Sequence, residues 1–147
     1  MIGKIVNIKN NIIYVNLQIN VYNLPNIIGK NVTFDNQFIG EIVSMSSTTL
    51  EINLIGQIMN GTFLAGSSIL PKFGSECRFT TKEEIDFIYG VNASADIVRI
   101  GKSYIYENYP VYLNIGSFFS NHFAILGNSG AGKSYFVSRL LQGIFYE

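Results

Sequence analysis

The stretch that most constrains this chain is Gly127-Asn128-Ser129-Gly130-Ala131-Gly132-Lys133-Ser134. It fits G-x-x-x-x-G-K-[ST] at every fixed position, the pattern of a loop that cradles phosphate groups. The spacing has a physical reason. Glycines reach backbone conformations closed to other residues and let the main chain come near a ligand. Successive N–H groups then point inward at phosphate oxygens. A helix opening near Gly132 adds unpaired N–H groups and the positive end of its dipole. In this pattern Lys133 reaches the β- and γ-phosphates, and the Ser134 hydroxyl binds Mg²⁺. The flanks agree with such a loop. Phe123-Ala124-Ile125-Leu126 is a short continuous apolar run, as expected of a fully buried parallel strand. After Ser134, the apolar residues Phe136, Val137, Leu140, Leu141 and Ile144 form a helical stripe.

Upstream, the pattern changes to strands. Ile13, Val15, Leu17 and Ile19 alternate with polar Asn16 and Gln18, and Leu50, Ile52 and Leu54 alternate with Glu51 and Asn53. The stretches KIVNI, NVTFD, FIGEIVSM and SSILPKF are further short candidates. Asn10-Asn11, Pro25-Asn26, Gly29, Asn60-Gly61 and Gly74 punctuate them as turns. Many short strands at regular spacing predict a small sandwich or barrel, and closing a barrel removes exposed edges that strands this apolar cannot leave open. One helix is expected, over Thr80–Gly90, with Thr81 as N-cap and Gly90 as stop. Its Glu83, Glu84 and Asp86 read as a solvated acidic face. From Asp96 two more strands are expected, joined at Glu107-Asn108, the second placing Val111, Leu113 and Ile115 on one face. The boundary between the halves falls around Gly90–Ser94, which divides the chain into 1–92 and 93–147.

With 147 residues, 48% hydrophobic content and a formal net charge of zero, the chain suits one or two small folded units. It lacks the basic footprint of a protein that binds nucleic acid over its whole surface. The single cysteine, Cys77, reads as a small hydrophobe and points to a reducing, cytosolic setting. No apolar run approaches the ~18 residues of a membrane span, and MIGKIVNIKN lacks the apolar region of a signal peptide. His122, the one histidine, reads as a strand-end hydrogen-bonding residue, and Arg139 as a cation on the helix surface.

The order of parts resembles the HerA family of hexameric ATPases and translocases. In that family an N-terminal HAS barrel precedes a RecA-like core of the HerA/FtsK class. Its lead-in is a histidine before the strand of the phosphate loop, then the strand, the loop and G-K-S. His122, Ala124-Ile125-Leu126-Gly127 and Gly132-Lys133-Ser134 fit it. The resemblance implies a mainly β barrel followed by the first strands, P-loop and first helix of a RecA-like α/β domain. It implies ATP and Mg²⁺ as cofactors, held by Gly127, Asn128, Ser129, Gly130, Ala131, Gly132, Lys133, Ser134 and Tyr135, with Lys133 catalytic and Ser134 on the metal. It implies a hexameric ring in the cytoplasm, not in a membrane. Duplex DNA would be engaged by regions beyond this chain, and a partner nuclease or antiphage effector would dock on the barrel, in DNA repair or antiviral defence.

The family's acidic metal-positioning strand, sensor strand and trans-acting arginine have no counterpart in these residues. The chain therefore reads as the leading part of a longer ATPase and as inactive by itself. Two alternatives stay open. The barrel acts only as an oligomerisation or docking module, or the parent is another ring P-loop ATPase, such as a rotary one.

Overall fold

A computed structural model describes residues 1–20, 25–89 and 96–146. The chain divides into two compact units, Met1–Gly90 and Val91–Glu147. The expected linker, Gly90–Ser94, lies outside the described residues.

The first unit is built from β1 (Gly3–Lys9), β2 (Ile12–Leu17), β3 (Asn31–Phe34), β4 (Phe38–Met45), β5 (Thr49–Met59), β6 (Thr62–Ala65) and β7 (Glu76–Phe79). All of its pairings are antiparallel, and the β2–β5 pairing closes β1-β2-β5-β4-β3-β7 into a six-stranded barrel. β6 lies outside the ring, paired only to β5. The alternation read from the sequence turns one row of side chains inward. Ile13, Val15, Leu50 and Ile52 are fully buried, and Leu17, Ile19 and Leu54 pack at the edge of the same core. Phe34, Val32, Ile42 and Cys77 complete it.

Tight turns carry the register. Asn10-Asn11 (φ 51° and 63°) and Asn60-Gly61 (φ 51° and 73°) join their strands in the left-handed region, as two-residue hairpin turns demand. The sequence reading missed a third pair in that region, Asp35-Asn36 (φ 50° and 56°), between β3 and β4. Register shifts at Ile5/Asn7, Ile39/Gly40 and Ile42/Ser44 mark bulges, which bend strands enough to close so small a ring. Gly40 sits where any Cβ would run into the Ile52 side chain, so the ring needs glycine there.

One of the expected strands is not formed in this unit. SSILPKF is not a strand: Ile69, Leu70 and Phe73 are 63%, 45% and 69% exposed, on irregular chain between β6 and β7. Apolar composition alone did not supply a backbone partner there. The short strands β6 and β7 take its place on either side, with only four residues each.

Helix α1 (Lys82–Ile88) begins at the expected N-cap. Thr81 and Glu84 form a reciprocal capping box. The acidic face is not simply solvated, however. Glu84 reaches across to β7, where its carboxylate accepts from both terminal guanidinium nitrogens of Arg78, at 2.7 and 2.9 Å. The same carboxylate accepts from the Thr33 hydroxyl at 3.1 Å and from the Thr81 amide at 2.8 Å. This cluster pins the helix to the barrel wall.

The second unit opens with β8 (Ile97–Lys102) and β9 (Pro110–Asn114), an antiparallel pair across the expected Glu107-Asn108 turn, where Asn108 takes φ 58°. Ile115 does not continue β9. It starts the short helix α2 (Ile115–Phe119), because the Asn114 side chain caps the Ser117 amide at 2.8 Å. The last element is α3 (Lys133–Tyr146). Its Leu140 is buried, and Gly143 meets Val98 of β8 so closely that no Cβ fits between them. No described helix is long and apolar enough to cross a membrane.

Candidate phosphate-binding loop

The loop Gly127–Ser134 joins irregular chain to α3, and its shape comes from two glycines. Gly130 and Gly132 adopt φ 80° and 82°, a region that side chains with a Cβ avoid. Between them the Ala131 amide donates to the Asn128 carbonyl at 3.1 Å, which folds the loop back on itself. The first helical bond of α3, Phe136 N–H to the Gly132 carbonyl at 2.9 Å, starts at the second glycine. Gly127 lies on the inside of this fold: a Cβ there would stand 3.2 Å from Ala131 Cβ and 3.6 Å from Lys133 Cγ. A side chain there would be tight against Ala131, so the smallest residue suits the position.

Lys133 folds back onto the start of the loop. Its ammonium donates to the Gly127 carbonyl at 2.8 Å and to the Asn128 carbonyl at 2.7 Å. The cation is thus held by the first two carbonyls of the loop. Lys133 is half-buried, whereas Asn128, Ser129, Ala131 and Ser134 are exposed and Tyr135 is 72% exposed. The Ser134 carbonyl accepts from the Ser138 hydroxyl at 2.9 Å, a bond inside α3.

The lead-in differs from its reading in the sequence. Residues 123–126 form no strand; Phe123 is 47% and Leu126 89% exposed. A parallel strand is held by ladder bonds to neighbours, and among the described residues none pairs with this run. Its apolar character is partly met in another way. Phe123 stacks against Phe118 with ring centroids 4.1 Å apart, and Phe119 closes a three-ring cluster at 5.3 and 5.7 Å. Composition gave no sign of this cluster beyond the repeated Phe118-Phe119. His122 is exposed, precedes no strand and makes no hydrogen bond among the described residues, so it is not a strand-end partner. Arg139 is an exposed cation on α3. Cys77 is far from this chemistry in kind: fully buried, its thiol is pushed up to about 12 by burial, as suits a core residue.

Comparison with known proteins adds an independent line. Residues 98–146 match the family model described as "Helicase HerA, central domain". Over 86 residues the chain is 42% identical to the DNA double-strand break repair helicase HerA of Saccharolobus solfataricus. That alignment covers 58% of this chain and 16% of the relative's length, so the chain spans a small part of that protein. The glycine loop with its folded-back lysine lies inside the segment matched by the family model, and both matches are to HerA-type helicases.

Proposed function

We propose that this chain supplies the nucleotide-phosphate loop of a HerA-type ring ATPase. In the longer parent, ATP with Mg²⁺ is held between subunits of a hexameric ring, and turnover drives duplex DNA through the ring in the cytoplasm. The observation that carries this reading is the loop: two left-handed glycines, a turn that brings Ala131 close to Gly127, and one ammonium held by the Gly127 and Asn128 carbonyls. These residues fit a triphosphate. The amides of 129–134 would receive the phosphate oxygens, Lys133 would leave its carbonyls to meet the terminal phosphates, and the Ser134 hydroxyl would hold the metal. Bound Mg²⁺ would supply charge neutralisation on the phosphates. The chain's own part in catalysis is positioning and charge stabilisation. Tyr135, exposed one residue on, would border the bound phosphates.

The barrel serves to gather copies of this loop and to dock a partner, a nuclease or a defence effector. A second reading, the barrel as a docking module with an inert loop, is favoured by one observation. The apolar run before the loop is exposed and unpaired among the described residues. Nucleotide binding and turnover separate the two. The 147-residue chain and a version extended through a full RecA-like core are compared for ATP hydrolysis and for mass by light scattering. The expected outcome is turnover only in the extended version, reduced at least about 100-fold by Lys133→Ala, since loss of one stabilising charge at a phosphoryl group removes on the order of 3 kcal/mol. Turnover unchanged by that substitution would overturn the assigned role.

A further inference from the structure

A second cationic feature lies in the same unit, away from the glycine loop. Arg99, Ile100, Gly101 and Lys102 of β8 and Phe136, Arg139 and Leu140 of α3 wall a cleft of about 270 Å³. Cross-strand register explains how β8 contributes two charges to it. In a regular strand, residues three apart face opposite ways. Here the ladder shifts between Arg99 and Gly101, so Arg99 pairs with Tyr112 and Lys102 with Pro110. Tyr112 and Pro110 are two apart on β9, so the bulge returns Arg99 and Lys102 to one face. Arg139 comes from α3, which the Gly143–Val98 contact holds against β8.

Three cations thus wall one cleft with no counter-charge among the described residues. None of the three makes an ion pair among the described residues. Lys102 donates to the neutral Asn108 side chain at 3.1 Å and Arg139 to the neutral Gln142 side chain at 3.4 Å. The only described carboxylates of this unit belong to Asp96 and Glu107, and neither lines the cleft. Clustered like charges repel one another, and an anion brought between them relieves that cost. Arginine forks match the oxygens of a phosphate. Among the described residues β8 pairs on one side only.

We infer that the β8–α3 cleft, walled by Arg99, Lys102 and Arg139, binds a phosphate group, separately from the glycine loop. The group comes either from a small phosphorylated molecule or from a nucleic-acid backbone. The test is a titration of the 147-residue chain with pyrophosphate and, separately, with a short DNA duplex, followed by amide NMR shifts. It is repeated in Lys133→Ala so that occupancy of the glycine loop does not count. The expected result is movement of the Gly101, Lys102 and Leu140 amides in both backgrounds. Arg99→Gln, Lys102→Gln and Arg139→Gln should each weaken this about 2- to 5-fold, the range of an exposed charge contact. Arg139→Lys should retain most of it, and raising salt should weaken it throughout. Movement with pyrophosphate alone assigns a small ligand, and movement with the duplex assigns a polymer. The inference is overturned if neither probe moves these amides, if the shifts vanish in Lys133→Ala, or if they persist in the triple Gln variant with its native dispersion intact. Failure of the glycine loop to bind ATP would leave the result at this cleft standing.

Discussion

The barrel and the glycine-loop unit solve the same problem, hiding apolar residues, with unequal success. In the barrel every central strand has two neighbours, and Phe34, Ile13, Leu50 and Ile52 are fully buried. In the second unit two strands and α3 cover Val98 and Leu140, while Leu126, Val137, Leu141 and Phe145 remain 89%, 38%, 43% and 76% exposed. The difference teaches where each unit's stability resides. A closed ring satisfies its ladder bonds and core within one stretch of chain, whereas a segment of parallel-sheet character depends on neighbours to bury both faces.

Substitutions can break or sharpen this contrast. The largest effect is expected from Phe34→Ala, which empties the centre of the ring. It should destabilise the barrel by about 3–5 kcal/mol in chemical denaturation followed by circular dichroism. A loss below about 1 kcal/mol would mean that the ring collapses around the gap and is less tightly organised than its burial implies.

Next in size is Glu84→Gln at the clamp between α1 and β7. It removes the charge from bonds to Arg78 and Thr33 and should cost on the order of 1 kcal/mol, the range of a partly exposed charged hydrogen bond. The same carboxylate sets a pH dependence. Partial burial alone would raise its pKa; hydrogen bonds from Arg78, Thr81 and Thr33, with the Arg78 charge, outweigh burial and hold it below the usual value. A group lowered in the folded state stabilises fully above the unfolded value, near 4.3, and loses that contribution as pH falls further. Stability should therefore drop below about pH 4.5 in the unsubstituted chain and drop less steeply in Glu84→Gln. The smallest effect belongs to Leu126→Ser. At an 89% exposed site it should change stability by less than about 0.5 kcal/mol. A loss comparable to that of Phe34→Ala would show that this run is buried in solution, and the contrast between the units would fail.

The parts legible in the sequence are those where a single face repeats long enough to be seen. Ile13, Val15 and Leu17, and Leu50, Ile52 and Leu54, declare β2 and β5 by alternation, and Asn10-Asn11 and Asn60-Gly61 declare their turns. β6 and β7 escape notice because four residues cannot establish a period, and in β7 only Cys77 is buried. SSILPKF misleads in the opposite sense, since apolar content says nothing about whether a backbone partner exists. At the glycine loop the motif gave the residues and their order. It did not give the place of the Lys133 ammonium, which is set by two carbonyl oxygens and so by three-dimensional geometry. The β8 bulge was likewise invisible, because one inserted residue leaves no mark on composition.

The chain's one sulfhydryl sits in β7, the stave between β1 and β3, sealed from water and held far from its reactive anionic form. A thiol reagent reaches it only when those staves part, and the freed thiol then ionises far more readily. Native-state alkylation of Cys77 is therefore a clock for unzipping of the ring, built into the wild-type molecule and readable without any added label.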